Sequence, residues 1–245
     1  MDTKHIGQSL PILETVRLSL IIPWQRRITI FKSLIFTAFL LALLSYLLEL
    51  QSEMKFTMIA FVWIIQSLVF TVFAVTCHRI LLLEESSISK YIYFRWTMRE
   101  TKFLGWTIVT YLCLGAIITV TGTSVFALVQ ALDGWVEKSS LQLLPFLPLI
   151  PGLYVLSRLS VLLPATAIDE NHNLSWAWQM TKRNGWRLLL LVGILPFLIS
   201  FRSIVFSLIN YPLLNILLDV IGYLIFGVIE IALLSFSFRF LRTRS

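Results

Sequence analysis

Asp169, Glu170 and His172 lie within four positions of one another, and side chains of these types could hold a metal ion or relay a proton. A metal site asks for more, namely several ligands at paired spacings on a rigid frame. H-E-x-x-H and C-x-x-C are absent, and His5 and His78 fall in remote segments. The pattern around His172 reads better as the polar start of a helix, with Asn173 or Ser175 as its cap. Glu84 and Glu85 ahead of Ser86, Ser87 and Ser89 likewise read as a loop leading into a helix. Nucleophilic catalysis needs Ser or Cys beside a base, but the serines are scattered and no G-x-S-x-G elbow occurs. Phosphate cradles of the G-x-x-x-x-G-K and G-x-G-x-x-G kinds are missing too. The sequence nominates no catalytic residue, no metal ligand and no cofactor.

The elements that would position any such group are long apolar helices. Of 245 residues, 58% are hydrophobic and 13% charged, and the mean hydropathy is +0.85. A soluble domain is about one quarter charged and cannot hide this much apolar surface. Phe 18, Trp 8 and Tyr 7 suit helix interfaces and headgroup belts. Cys77 and Cys113 both fall in apolar runs, so no disulfide framework is implied. The net charge of +7 is broken up by apolar segments rather than massed, which argues for topology signals and against nucleic acid.

Six spans are expected, at about 29–49, 56–83, 104–131, 141–165, 187–209 and 213–238, each able to cross a core of about 30 Å. The first begins too late and runs too long for a cleaved signal peptide. The second is overlong and must tilt or emerge from the bilayer. Pro145, Pro148, Pro151 and Gly152 predict a kinked or unwound entry to the fourth. Residues 6–22 read either as an amphipathic helix lying on the membrane and ended by Pro23, or as a disordered leader. Seventeen Lys and Arg residues flank one set of span ends, and only Lys55, Lys138 and Arg202 flank the other. That bias places both termini and the 84–103 and 166–186 connections in the cytoplasm.

Those two connections share W-x4-T-K-x2-G-W. Trp96, Thr101, Lys102, Gly105 and Trp106 recur eighty positions later as Trp176, Thr181, Lys182, Gly185 and Trp186, and Arg79 is matched by Arg158. We read a parallel internal pseudo-repeat of span, interfacial elbow and span, although interfacial helices also gather Trp and Lys independently. Arg95, Arg99 and Lys102 in the first elbow, and Lys182 and Arg183 in the second, suit an anionic leaflet. The fold class expected is therefore all-α, a polytopic transmembrane bundle with amphipathic interfacial elbows.

Arg79, the Trp96–Trp106 stretch, the run from Arg158 to Pro164 and Ala165, and the stretch from Trp176 to Arg187 resemble a family. It comprises uncharacterised bacterial six-span inner-membrane proteins related to the membrane domain of glycerophosphodiester phosphodiesterases. The resemblance covers about residues 10–240 and implies a bacterial inner-membrane helical domain. No segment is long and polar enough for the soluble phosphodiesterase domain, so hydrolysis is not expected to carry over.

Charges at membrane depth complete the candidates. Arg158 and Glu230 fall at similar depth and are expected to bridge across the bundle, and Arg202 and Asp219 are level on the last hairpin. Each buried ion costs about 2.5–3.5 kcal/mol on insertion scales, so each wants a partner, water or a route to the interface. The reading preferred is a non-enzymatic inner-membrane scaffold or accessory protein in lipid homeostasis or envelope assembly, with lipid, a protein partner or its own copy as companion. The alternative is a transporter or lipid translocator, which a cavity lined by Arg158 and Glu230 would favour. A membrane-embedded lipid-modifying enzyme comes third, because it needs clustered acids or histidines that the sequence does not offer.

Overall fold

Long runs of Leu, Ile, Phe and Val can satisfy their backbone in lipid only as helices or closed barrels. In the computed structural model, which describes residues 9–49, 55–84, 96–132, 144–200 and 211–243, the regular elements are all helical. They are α1 (Ile12–Gln25), α2 (Arg27–Glu49), α3 (Phe56–Leu82), α4 (Met98–Leu132), α5 (Leu149–Leu159), α6 (Leu162–Ala167), α7 (Leu174–Met180), α8 (Gly185–Ser200) and α9 (Leu213–Arg242). The protein is a polytopic membrane-spanning bundle. Among the described residues, α2, α3, α4, α5 with α6, and α9 are long and apolar enough to cross a bilayer. A sixth span is reached if α7 and α8, bent by 100°, count as one.

The antiparallel pair α2·α3 is the centre of the bundle, with Leu34, Ala38, Leu41 and Ala42 packed against Phe73, Ala74 and Cys77. The upper part of α9 closes this core through Val228 and Ala232. A second core joins Leu162, Leu188 and Leu191 to Phe238 and Leu241. His78 is buried beside Phe103, and its Nδ1 lies 2.7 Å from Ser235 Oγ. Ser235 already donates to Ile231 O at 2.8 Å, so the shared proton belongs to His78 Nδ1. This histidine ties two helices together.

Helix α1 departs from the expected surface helix. It starts after Pro11 and runs through Pro23 to Gln25, because a proline in the last turn forfeits one backbone bond while Arg26 N still reaches Ile22 O at 3.0 Å. Thr15 and Ser19 turn inward, their hydroxyls donating to Pro11 O and Thr15 O, and α1 lies along α9. Leu13, Leu20 and Trp24 point outward together with Glu14 and Arg17. Packing on protein has replaced a purely membrane-facing role. At the α1–α2 corner, Arg26 donates to Ile80 O and, at 3.0 Å, to Leu83 O. It thereby covers carbonyls that the end of α3 leaves unpaired.

The fourth segment is irregular, as its prolines imply. A 3-10 turn at Leu144–Phe146 precedes α5, and a break separates α5 from α6. Pro164 has no N–H to offer Ser160 O, which instead accepts from Leu163 N at 2.9 Å.

Most of the first elbow, residues 85–95, lies outside the described residues, and its last part is helical. Trp96 and Thr97 precede α4, and from Met98 to Leu132 that helix is unbroken, so Thr101, Lys102, Gly105 and Trp106 belong to the first turns of a span. Thr97 and Glu100 form a capping box: Thr97 N donates to Glu100 Oε2 at 2.7 Å, and the two side chains bond as well. In the second elbow α7 does form, capped by Asn173, whose side chain accepts from Trp176 N at 2.9 Å. The chain then breaks at Asn184 before α8 begins at Gly185. Leu104 stands where the second copy has Asn184, and Leu continues a helix that Asn interrupts. Lys90, Arg95 and Arg202, with most of the outer turns expected at 50–55 and 132–140, lie outside the described residues.

Candidate functional site

Arg158, at the end of α5, is 4% exposed. Its Nε donates to Thr181 Oγ1 at 2.9 Å, Nη1 to Tyr154 Oη at 3.4 Å, and Nη2 to Trp178 O. The guanidinium carbon also sits 3.5 Å from the centre of the Trp178 ring. Thr181 is fully buried and passes its own proton to Ala177 O at 2.7 Å. Arg158 therefore clasps the second elbow to α5, and the bridge expected with Glu230 is replaced by hydroxyls, a carbonyl and an aromatic face. Tyr154 packs on Trp186 at 5.1 Å and edge-on to Trp178 at 6.5 Å, completing an aromatic box around the cation. Gly185 is the other condition of this box, since a Cβ there would overlap the Tyr154 ring. Beside it, Asn184 Oδ1 accepts from Leu10 N at 2.8 Å and Arg187 donates to Leu10 O at 2.6 Å, anchoring the chain before α1. Thr101 and Gly105 have no such surroundings: Thr101 is exposed and takes a bond from Trp96 Nε1, and space beside Gly105 is open within 4 Å.

A second polar group joins the helix ends. Helix α6 finishes in a Schellman motif, with Asp169 N donating to Thr166 O at 3.1 Å and Glu170 N to Ala165 O at 2.9 Å. Its left-handed position is filled by Asp169, at φ 68°, where glycine is usual. The carboxylate explains the choice: it accepts from Arg99 Nε at 2.7 Å, Arg99 Nη2 at 2.9 Å and Arg79 Nη1 at 3.1 Å. Glu170 binds Arg242 at 2.5 Å and His172 at 3.1 Å, Lys102 donates to Asn171 at 2.8 Å, and the His172 ring stacks on Trp176 at 3.6 Å. The turn at 168–172 thus gathers α3, α4 and α9 at one end of the bundle. Asp169 and Glu170 serve different cations, and among the described residues no group of three His, Cys, Asp or Glu side chains could hold a metal.

Desolvation raises the Asp169 carboxyl, but hydrogen bonds and charge from Arg99, then from Arg79, outweigh it and hold the group below the usual carboxylate range. A depressed folded-state pKa contributes stability that is present above the unfolded value and lost as pH falls through the folded one. Titration of the detergent-solubilised protein should therefore show an acid-side loss of thermal stability below about pH 4 that Asp169→Asn reduces. The effect is small, because Asp169 is more than half exposed and its pairs are screened.

The remaining feature is a cavity of about 780 Å³, open to the outer surface of the bundle, between α2, α3 and α4 with Tyr223 of α9 at its wall. Its origin is the course of α4, which packs mainly on α5 and α6 and leans away from α3. Gly152 permits that lean, since a Cβ there would come within 2.9 Å of Leu114 and Ile118. Most of the wall is apolar, including Leu41, Ile64, Ile108 and Leu112. The exception is a polar chain in which Gln66 Nε2 donates to Ser45 Oγ at 3.0 Å and Ser45 Oγ lies 3.1 Å from Tyr223 Oη. Gln66 Oε1 is buried without a partner. Tyr223 begins a π-helical stretch, Tyr223–Gly227, and the wider turn places its hydroxyl toward α2.

Of the expected intramembrane charges, Arg158 faces packed protein, Glu230 and Asp219 lie on α9, and the expected pairing of Asp219 with Arg202 falls outside the described residues. As a polar residue inside an apolar run, Gln66 is expected from the sequence to make an interhelical hydrogen bond, and it does so with Ser45 of α2, whereas Ser45 and Tyr223 carried no signal. No family model matches the chain, and neither the curated proteins nor the solved structures include a significant match.

Proposed function

We propose that this protein is a non-enzymatic accessory protein of the bacterial cytoplasmic membrane that holds a lipid in the cavity between α2, α3 and α4, in the service of lipid homeostasis or envelope assembly. The cavity carries the reading. Its volume of about 780 Å³ falls within the roughly 300–1,000 Å³ of ligand sites, and its wall is apolar with a few placed polar groups. Arg158 supports a structural rather than a transport role for this buried cation, because its donors are spent inside the protein.

Purified in mild detergent, the chain should carry about one lipid in excess of its Ile108→Trp variant, whose indole intrudes on the cavity, as read by native mass spectrometry. Equal lipid content in the two proteins refutes the assignment. A translocator would use the same cavity, so vesicles containing the protein should leave the distribution of a fluorescent phospholipid between leaflets unchanged. The proposed orientation rests on the seventeen-to-three basic bias. Reporter fusions after residue 245 and within 166–186 should report from the cytoplasm, and an outside signal from the C-terminal fusion overturns that topology.

A further inference from the structure

We infer that the start of α4 and the turn at 168–172 form a second lipid site, one for the phosphate of an anionic phospholipid, with Lys102 as its cation. It is separate from the cavity between α2, α3 and α4 and does not depend on which side of the membrane this end of the bundle faces. In the turn, Asp169 is held by Arg99 and Arg79, and Glu170 by Arg242 and His172. Lys102 pairs with no carboxylate among the described residues; its Nζ donates instead to the neutral Asn171 Oδ1 at 2.8 Å. That bond aims the ammonium without cancelling its charge, and two of its three N–H groups remain for a ligand.

Beside Lys102 the surface is hollowed. The hollow, about 400 Å³, is lined by Lys102, Gly105, Trp106, Val109, Asn171 and His172. Gly105 keeps it open, since nothing stands within 4 Å of where its Cβ would be, and His172, stacked on Trp176 at 3.6 Å, makes a rigid edge. Asn171, whose oxygen accepts from Lys102, keeps its amide N–H groups to donate, and the indole N–H of Trp106 meets no acceptor among the described residues. Cation, amide and indole are all donors, the set that the several oxygens of a phosphate require. No carboxylate lines the hollow, so the ammonium of a zwitterionic headgroup finds no counter-charge there.

Height along α4 makes the phosphate that of a lipid. At 1.5 Å per residue the 35-residue α4 is about 52 Å long, and a centred core of about 30 Å leaves about 11 Å at each end. Lys102 is about 6 Å from the start at Met98, at headgroup height, whereas Trp106 at about 12 Å and Val109 at about 16 Å reach the apolar region. The hollow thus runs from charge to apolar surface in the order of a phospholipid: phosphate, glycerol ester, acyl chain. Trp106 stands at the ester level, where indoles gather. A free phosphate would use only the Lys102 end.

Dioleoylphosphatidylglycerol and dioleoylphosphatidylcholine, which share their tails, are titrated into the purified full chain in detergent, and occupancy is read by native mass spectrometry. Phosphatidylglycerol should bind about fivefold more tightly, the effect of one lysine at a charged lipid surface. Lys102→Gln should remove that preference, and Lys182→Gln, at the matching position of the second elbow, should leave it unchanged. Both lysines are exposed, so both variants should fold. Gly105→Leu, which keeps every charge and fills the hollow, should remove the preference too, while Ile108→Trp in the other cavity should not. Equal binding of the two lipids to the wild type, or equal losses in the two lysine variants, overturns the site. A preference kept in Gly105→Leu, or lost in Ile108→Trp, overturns it as well. Full displacement of phosphatidylglycerol by inorganic phosphate at equal concentration overturns the lipid as the source of the anion.

Discussion

Arg158→Ala should destabilise the protein by about 3 kcal/mol, the largest loss expected from any single charge removal here. The truncation orphans Thr181 Oγ1 as an acceptor, uncovers Trp178 O at the end of α7, and empties the aromatic box formed by Tyr154 and Trp178. Hydrogen bonds from a charged donor contribute about 1.5–3 kcal/mol, and a desolvated cation–π contact about 2, offset by the relief of no longer burying a cation. Arg158→Lys should recover less than half of the loss. A lysine ammonium cannot reach a hydroxyl and a carbonyl with a planar fork while lying flat on an indole. Thermal unfolding in detergent measures both variants, and a lysine variant as stable as the wild type would show that only the charge matters. The consequence for function is local: the second elbow would detach from α5, while the cavity, walled by other helices, should keep its lipid.

Gly105→Ala and Gly185→Ala should have opposite signs, although the two glycines occupy the same place in W-x4-T-K-x2-G-W. Gly105 is in the interior of α4 with open space within 4 Å of where a Cβ would stand. Alanine there should stabilise by roughly 0.5–1 kcal/mol, because it restricts the unfolded chain and collides with nothing. Gly185 begins α8 against the Tyr154 ring, which is itself held by Arg158, Trp178 and Trp186. A methyl group there must displace a packed aromatic, costing about 1–3 kcal/mol. Unfolding of the two variants in one detergent gives the comparison directly. If both substitutions stabilise, or both destabilise by similar amounts, the two copies are alike in packing and the asymmetry described above is wrong.

The helical, polytopic character of the chain followed from its sequence because it depends on local quantities. Apolar runs of about 20 residues must satisfy their own backbone in lipid, and no partner is needed to draw that conclusion from the stretches at 29–49 or 56–83. The cap at Asn173 and the irregular entry behind Pro145, Pro148 and Pro151 were legible for the same reason: caps and proline breaks are set within a few residues. The Thr97–Glu100 capping box was equally local and equally legible as T-x-x-E, yet the interfacial-elbow reading passed over it.

Azimuth and partnership belonged to the tertiary structure. Level depth brought Arg158 and Glu230 together on paper, but a helix position specifies height, not the neighbour it faces, and Arg158 turned to Thr181 and Trp178. Two copies of one motif folded differently because Leu104 and Asn184 differ, and because Leu10, 174 positions away from Asn184, completes only the second. The cavity was the least legible of all. A void is made by what α4 fails to touch, and no residue of Ser45, Gln66 or Tyr223 announces from its own surroundings that the other two will stand beside it.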